Sequence, residues 1–138
     1  MIALPTVVLA QDKETAIKKD LQKFAGSWVV TKAEKEGQPD KFYPGARSTI
    51  TGNKFVLKHG DEMVEGTFEL DPTKNPRTMK ATYTAGANKG KTRIGIYKFE
   101  GDTFTICYSD FGKKEPPADF TGKPGSREIT IVSKRDKP

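Results

Sequence analysis

The chain has 138 residues, a formal charge of +6, and 34% hydrophobic against 30% charged residues. That suits one domain with a single core and argues against disorder. Its 24 Lys and Arg are spread among 18 Asp and Glu without a dense basic run, so no nucleic-acid partner is expected. The lone Cys107 excludes an internal disulfide and a Cys-built zinc site, and the single His59 excludes a His-rich metal site.

Residues 1–10 carry no charged side chain and end Val8-Leu9-Ala10, before a switch to Gln11-Asp12-Lys13-Glu14. The segment resembles the end of a secretory signal, although a basic start is missing, and it is too short to span a bilayer. The expectation is an exported protein, periplasmic or extracellular, with residues 1–10 a leader remnant and residues 11–138 the folded domain.

From Asp12 to Ala25 the apolar residues Ile17, Leu21 and Phe24 recur at helical spacing, with Lys18, Lys19, Asp20 and Lys23 assigned to the solvent side. Asp12 suits the N-cap and Gly26 the stop. One apolar stripe needs one surface to cover, which places the helix on its own domain rather than on a membrane.

Gly26-Ser27-Trp28 then opens a series of strands, with Trp28 and Val30 leading the inner face of the first. The turn signals Gly52-Asn53, Gly60-Asp61 and Gly101-Asp102 are two-residue loops, and residues flanking such a loop pair and share a face. The first two therefore pair Ile50 with Phe55, Ser48 with Leu57, Leu57 with Val64, Phe55 with Gly66, and His59 with Glu62. Phe55, Leu57, Val64, Phe68 and Leu70 fall on one face, and Lys54, Lys58, Glu65 and Glu69 on the other. The third pairs Phe99 with Phe104, Tyr97 with Ile106 and Gly95 with Tyr108, leaving Ile96, Lys98, Thr105 and Cys107 on the less apolar face. Met79, Ala81 and Tyr83 face inward on the fifth strand, and Ile129 and Ile131 on the eighth.

No helical pattern separates consecutive strands, so the connectivity is antiparallel and up-and-down. The predicted fold is all-β, a single eight-stranded up-and-down antiparallel barrel whose short N-terminal helix closes one end. Closure removes the exposed edges, and the short loops disfavour a Greek-key sandwich. Counting strand directions puts Trp28 at the base and leaves the alternate loops at the mouth. Arg135 shares parity with Ile129 and Ile131 and is expected over the Trp28 indole, a contact of about 0.5–2 kcal/mol. Gly26, Trp28 and Arg135 are thus the structural base.

A Gly-x-Trp opening the first strand after a short helix, with an Arg ending the last strand, resembles the signature of lipocalins and the wider calycin group. More closely, Leu21 to Trp28, the Gly95 to Cys107 strand pair and the stretch from Phe120 to Arg135 are similar to a lipocalin-like domain family common in planctomycete bacteria. That resemblance covers nearly the whole chain after Gln11 and implies the barrel without implying an activity. The chain departs from the family at Glu115 to Phe120, where an Arg-Pro pair is expected, so no role of that Arg is carried over.

No Gly-x-Ser-x-Gly elbow is present, and Gly86 to Thr92 links two strands rather than opening a helix as a phosphate loop does. No cofactor, metal or catalytic residue is assigned. An acid/base pair of His59 and Glu62 is the one enzymatic alternative, and Cys107 reads as a buried, inert thiol. The register does gather a collar at the mouth, His59, Glu62, Tyr83, Arg93 and Tyr108, above an apolar interior of Phe55, Leu57, Phe68, Tyr97, Phe104 and Ile106. That combination suits a non-catalytic, monomeric barrel binding a small, largely apolar molecule, with Arg93 available for an anionic head group. An apolar volume below about 300 Å³ leaves no room for a ligand of the usual size. The alternative is a solid-cored structural or interaction module meeting a cell-envelope component or partner protein. The segment from Ser109 to Arg127 is either a lid carrying Phe111 and Phe120 or a surface excursion anchored by Phe120.

Overall fold

The computed structural model describes residues 6–136, with side chains from residue 12 onward. Helix α1 (Thr6–Phe24) leads into β1 (Gly26–Lys35) and a two-residue strand β2 (Gln38–Pro39). There follow β3 (Arg47–Thr51), β4 (Lys54–His59), β5 (Glu62–Asp71), β6 (Arg77–Ala85), β7 (Thr92–Glu100), β8 (Thr103–Tyr108) and β9 (Ile129–Arg135). Strands β1 and β3 to β9 pair antiparallel in sequence order, and β9 returns to β1, so eight strands close into a barrel. The extra strand β2 folds back on β1 alone, pairing Glu34 with Pro39.

All three two-residue loops set the expected register. Ile50 lies opposite Phe55 and Ser48 opposite Leu57, Leu57 opposite Val64 and His59 opposite Glu62, and Tyr97 opposite Ile106 and Gly95 opposite Tyr108. Period-two alternation then carries Trp28, Phe68, Ala81, Tyr97 and Phe104 into the core.

The base is closed by α1. Phe24 stands at the centre of an aromatic cluster, with ring centroids 5.6 Å from Phe68, 5.3 Å from Tyr97, 4.6 Å from Phe99 and 5.1 Å from Phe104. The Trp28 indole N–H donates to the Phe24 carbonyl at 2.8 Å. Arg135 lies over the indole at 4.3 Å, opposite Trp28 in the β1–β9 register, as its parity requires. Its guanidinium also donates to the Ala25 and Lys23 carbonyls at 2.9 and 3.0 Å, satisfying acceptors that the helix end leaves open. Gly26 has a φ of +123°, and a Cβ there would come 2.8 Å from Nη1 of Arg135. The backbone conformation favours a glycine, and any Cβ would also push the guanidinium aside.

Three expectations need correction. The helix does not begin at Asp12 but runs through Thr6–Ala10; the remainder of the expected leader lies outside the described residues. Asp20 does not face solvent: it is 3% exposed, accepts the Tyr97 hydroxyl at 2.7 Å and pairs with Arg77 at 3.6 Å. A carboxylate is stable there because the barrel interior supplies a donor and a cation. Ile96 points outward as expected yet is 0% exposed, whereas Cys107, opposite it on the same outer face, is buried as expected; the segment between β8 and β9 passes along this face. Thr130, opposite Cys107, donates its hydroxyl to the Phe120 carbonyl at 3.0 Å. Phe120 lies along the outside of the barrel under Lys98, whose ammonium sits 4.7 Å from the ring centre.

Among the described residues no helix is long and apolar enough to cross a membrane.

Candidate functional site

Above the Phe24 cluster the interior is not completely filled. A cavity of about 100 Å³ lies between that cluster and the mouth, with an apolar wall that includes Val30, Phe55, Leu57, Val64, Ile106 and Ile131. Its polar groups are the side chains of Tyr43, Tyr83, Tyr108, Ser48, Ser133 and Asn88. One local feature shapes the wall: Phe55 is paired with Gly66, where a Cβ would come 2.5 Å from both the Phe55 ring and the Thr82 carbonyl oxygen. The missing side chain lets the Phe55 ring lie against the sheet, edge-on to Tyr83 at 5.8 Å.

The residues expected in the site divide into three groups. Phe55, Leu57, Phe104, Ile106, Tyr83 and Tyr108 line the cavity. Phe68 and Tyr97 lie below it, packed on Phe24, with the Tyr97 hydroxyl committed to Asp20. His59 and Glu62 sit opposite each other in register, yet among the described residues no hydrogen bond or ion pair joins their side chains. The His59 imidazole instead stacks on Phe42 at 5.4 Å, with Nε2 3.3 Å from the Pro44 carbonyl, and Glu62 is exposed.

Arg93 faces inward opposite Ala81 but does not line the cavity wall. It is 7% exposed. Its Nε donates to the Ser109 carbonyl at 3.1 Å, and its guanidinium sits 5.2 Å from the Tyr108 ring and 4.1 Å from the Phe111 ring. It also bonds the Tyr83 side chain, which bounds the cavity. The segment after β8 thus has two parts: Phe111 folds back onto Arg93 and lies 5.6 Å from Tyr83 at the mouth, whereas Phe120 anchors the outer excursion.

The sequence reading missed Tyr43, Asn88, Ser48 and Ser133 as polar lining. Parity carried a signal for two of them, since Ser48 pairs with Leu57 and Ser133 with Phe104. Tyr43 and Asn88 come from loops, where alternation says nothing.

Tyr43 joins Tyr83 and Tyr108 at the collar, and all three are neutral donors. Burial raises the Tyr43 phenol, and the neighbouring Tyr83 and Asp40 add to this against the charge of Arg93. Burial likewise raises Tyr83 against the Arg93 charge and hydrogen bond. Burial, above all, holds Tyr108 far above the usual range, and burial followed by the Asp20 hydrogen bond does the same for Tyr97. These are all 4 tyrosines of the chain. Free tyrosine titrates near about 10, so above that pH the unfolded chain loses phenolic protons that the folded one keeps. Stability is therefore full below about pH 10 and falls as the pH rises beyond it. An alkaline titration should show tyrosinate absorbance appearing together with unfolding; a gradual rise near pH 10 in the folded protein would contradict the burial of the collar.

No protein-family model, curated protein or solved structure matches the chain.

Proposed function

We propose that this β-barrel is a non-catalytic, lipocalin-like module that holds one small, largely apolar molecule beneath a collar of tyrosine hydroxyls. The observation that carries the reading is the cavity itself, with a largely apolar wall, two serines toward the base and tyrosines toward the mouth, in a fold whose base is sealed by α1. Its volume of about 100 Å³ is well below the roughly 300 Å³ of ordinary ligand pockets. An apolar cavity of about 150 Å³ accommodates benzene, so the enclosed part of the guest is about four to six heavy atoms. Kinship with lipocalins, export and a monomeric state belong to the same proposal; Gly26, Trp28 and Arg135 support the first, and the apolar stretch before Gln11 the second.

An NMR titration with isobutanol tests it. Shifts should concentrate at Val30, Leu57, Val64, Ile106 and Ile131, and Val64→Phe, which fills the space, should abolish them. Shifts scattered over the surface, or persisting in Val64→Phe, would sink the reading.

The small volume also favours a second reading, a solid-cored interaction module whose basic exterior meets a cell-envelope component or a partner protein. That reading predicts no saturable isobutanol response and no effect of Val64→Phe on association with the partner.

A further inference from the structure

We infer that the guest is a small monocarboxylic acid, its apolar body in the cavity and its carboxylate at the collar, facing the hydroxyls of Tyr43, Tyr83 and Tyr108 with the charge of Arg93 behind them. This rests on the cavity reading above and adds the chemical class.

The argument begins with an imbalance. Arg93 is 7% exposed, yet among the described residues it forms no ion pair. A guanidinium taken out of water is costly unless it is paired and fully hydrogen-bonded. The other buried charge among the described residues is compensated: Asp20 has Arg77. Arg93 has one carbonyl, the Tyr83 phenol and two aromatic faces. These orient the cation and leave its charge uncancelled.

The nearby acidic groups are otherwise engaged. The Asp40 carboxylate accepts the backbone N–H groups of Phe42 and Tyr43, each at 3.1 Å. Asp110 pairs with Arg127 at 3.9 Å and accepts the Phe111 N–H. The charge of Arg93 acts instead on the phenols, opposing the rise of all three collar tyrosines. A carboxylate accepting from those phenols would sit in that field, where low dielectric strengthens the attraction. Phe111, stacked on Arg93, keeps water from screening it. A dianion would face a single buried cation, since Lys91, whose ammonium lies 5.4 Å from the Phe111 ring, is exposed to solvent, and a larger body would not fit in about 100 Å³.

The test compares isovalerate with its neutral isostere isovaleramide by calorimetry at neutral pH. Their four-carbon bodies match the cavity and only the head differs. The acid should bind at least about tenfold tighter, a margin of about 1.4 kcal/mol. This ratio should collapse towards one in Arg93→Gln, and in Tyr43→Phe, whose loop position makes it the safer variant for folding, it should fall severalfold. Equal binding of acid and amide would overturn the carboxylate assignment and leave the cavity reading standing. A preference that persists in Arg93→Gln would overturn the role of Arg93. Saturable binding of neither compound at concentrations up to about 10 mM, well above a 1 mM dissociation constant, would remove both the inference and the cavity reading beneath it.

Discussion

Trp28→Ala should destabilise the barrel by about 3–5 kcal/mol, the range for truncating a buried large aromatic. Trp28 is 1% exposed, packs edge-on against Phe104 at 4.6 Å, donates to the Phe24 carbonyl and lies under Arg135. Truncation removes all three contacts and leaves a cavity that a closed barrel cannot readily collapse. With a few °C of melting temperature per kcal/mol for a domain of this size, the midpoint should drop by about 10–20 °C. Because Trp28 does not line the upper cavity, the folded fraction should bind a guest about as well as the parent. A variant as stable as the parent that had lost binding would mean that the functional end of the barrel is the one assigned here to the base.

Phe24→Ala should cost a similar amount, about 3–5 kcal/mol, and its consequence is more specific. Phe24 is the ring through which α1 meets Phe68, Tyr97, Phe99 and Phe104 from β5, β7 and β8. Without it α1 keeps the Asp20 bond to Tyr97 and the Arg135 bonds to its C-terminal carbonyls, which hold the end of the helix without filling the base. Hydrogen exchange should therefore show α1 opening first while the barrel strands keep their protection. The two substitutions share the Trp28–Phe24 hydrogen bond and the Phe104 ring, so the double variant should lose less than the sum. Strict additivity would show that α1 and the base do not pack as one unit, and uniform loss of protection across helix and strands would contradict the separate opening of α1.

Most of the barrel was legible in the sequence because three two-residue loops each fix a register, and one register error inverts every side chain of a strand. The same parity placed Arg135 over Trp28 from opposite ends of the chain. What escaped depended on partners that periodicity does not encode. Asp20 reads as a solvent-facing residue on the helix, and its burial is explained by Arg77 and by Tyr97, 77 positions away. Ile96 sits on the outer face of its strand, and its burial is not set by strand alternation. In the site, the apolar half of the cavity followed from strand alternation, whereas Tyr43 and Asn88 arrive on loops. Arg93 was placed correctly by parity, but only the structure places Phe111 on its face and Ser109 at its Nε. His59 and Glu62 show the limit of register: opposed positions on a hairpin end with the imidazole turned to Phe42 and Pro44.

The central claim, an accessible apolar cavity under the tyrosine collar, is tested most directly by diffraction from a crystal held under xenon pressure. Xenon enters dry apolar cavities of about 150 Å³. The account predicts a single strong peak enclosed by Phe55, Leu57, Ile106 and Ile131, lost in Val64→Phe. Side chains filling that space, with no xenon inside the barrel, would contradict it.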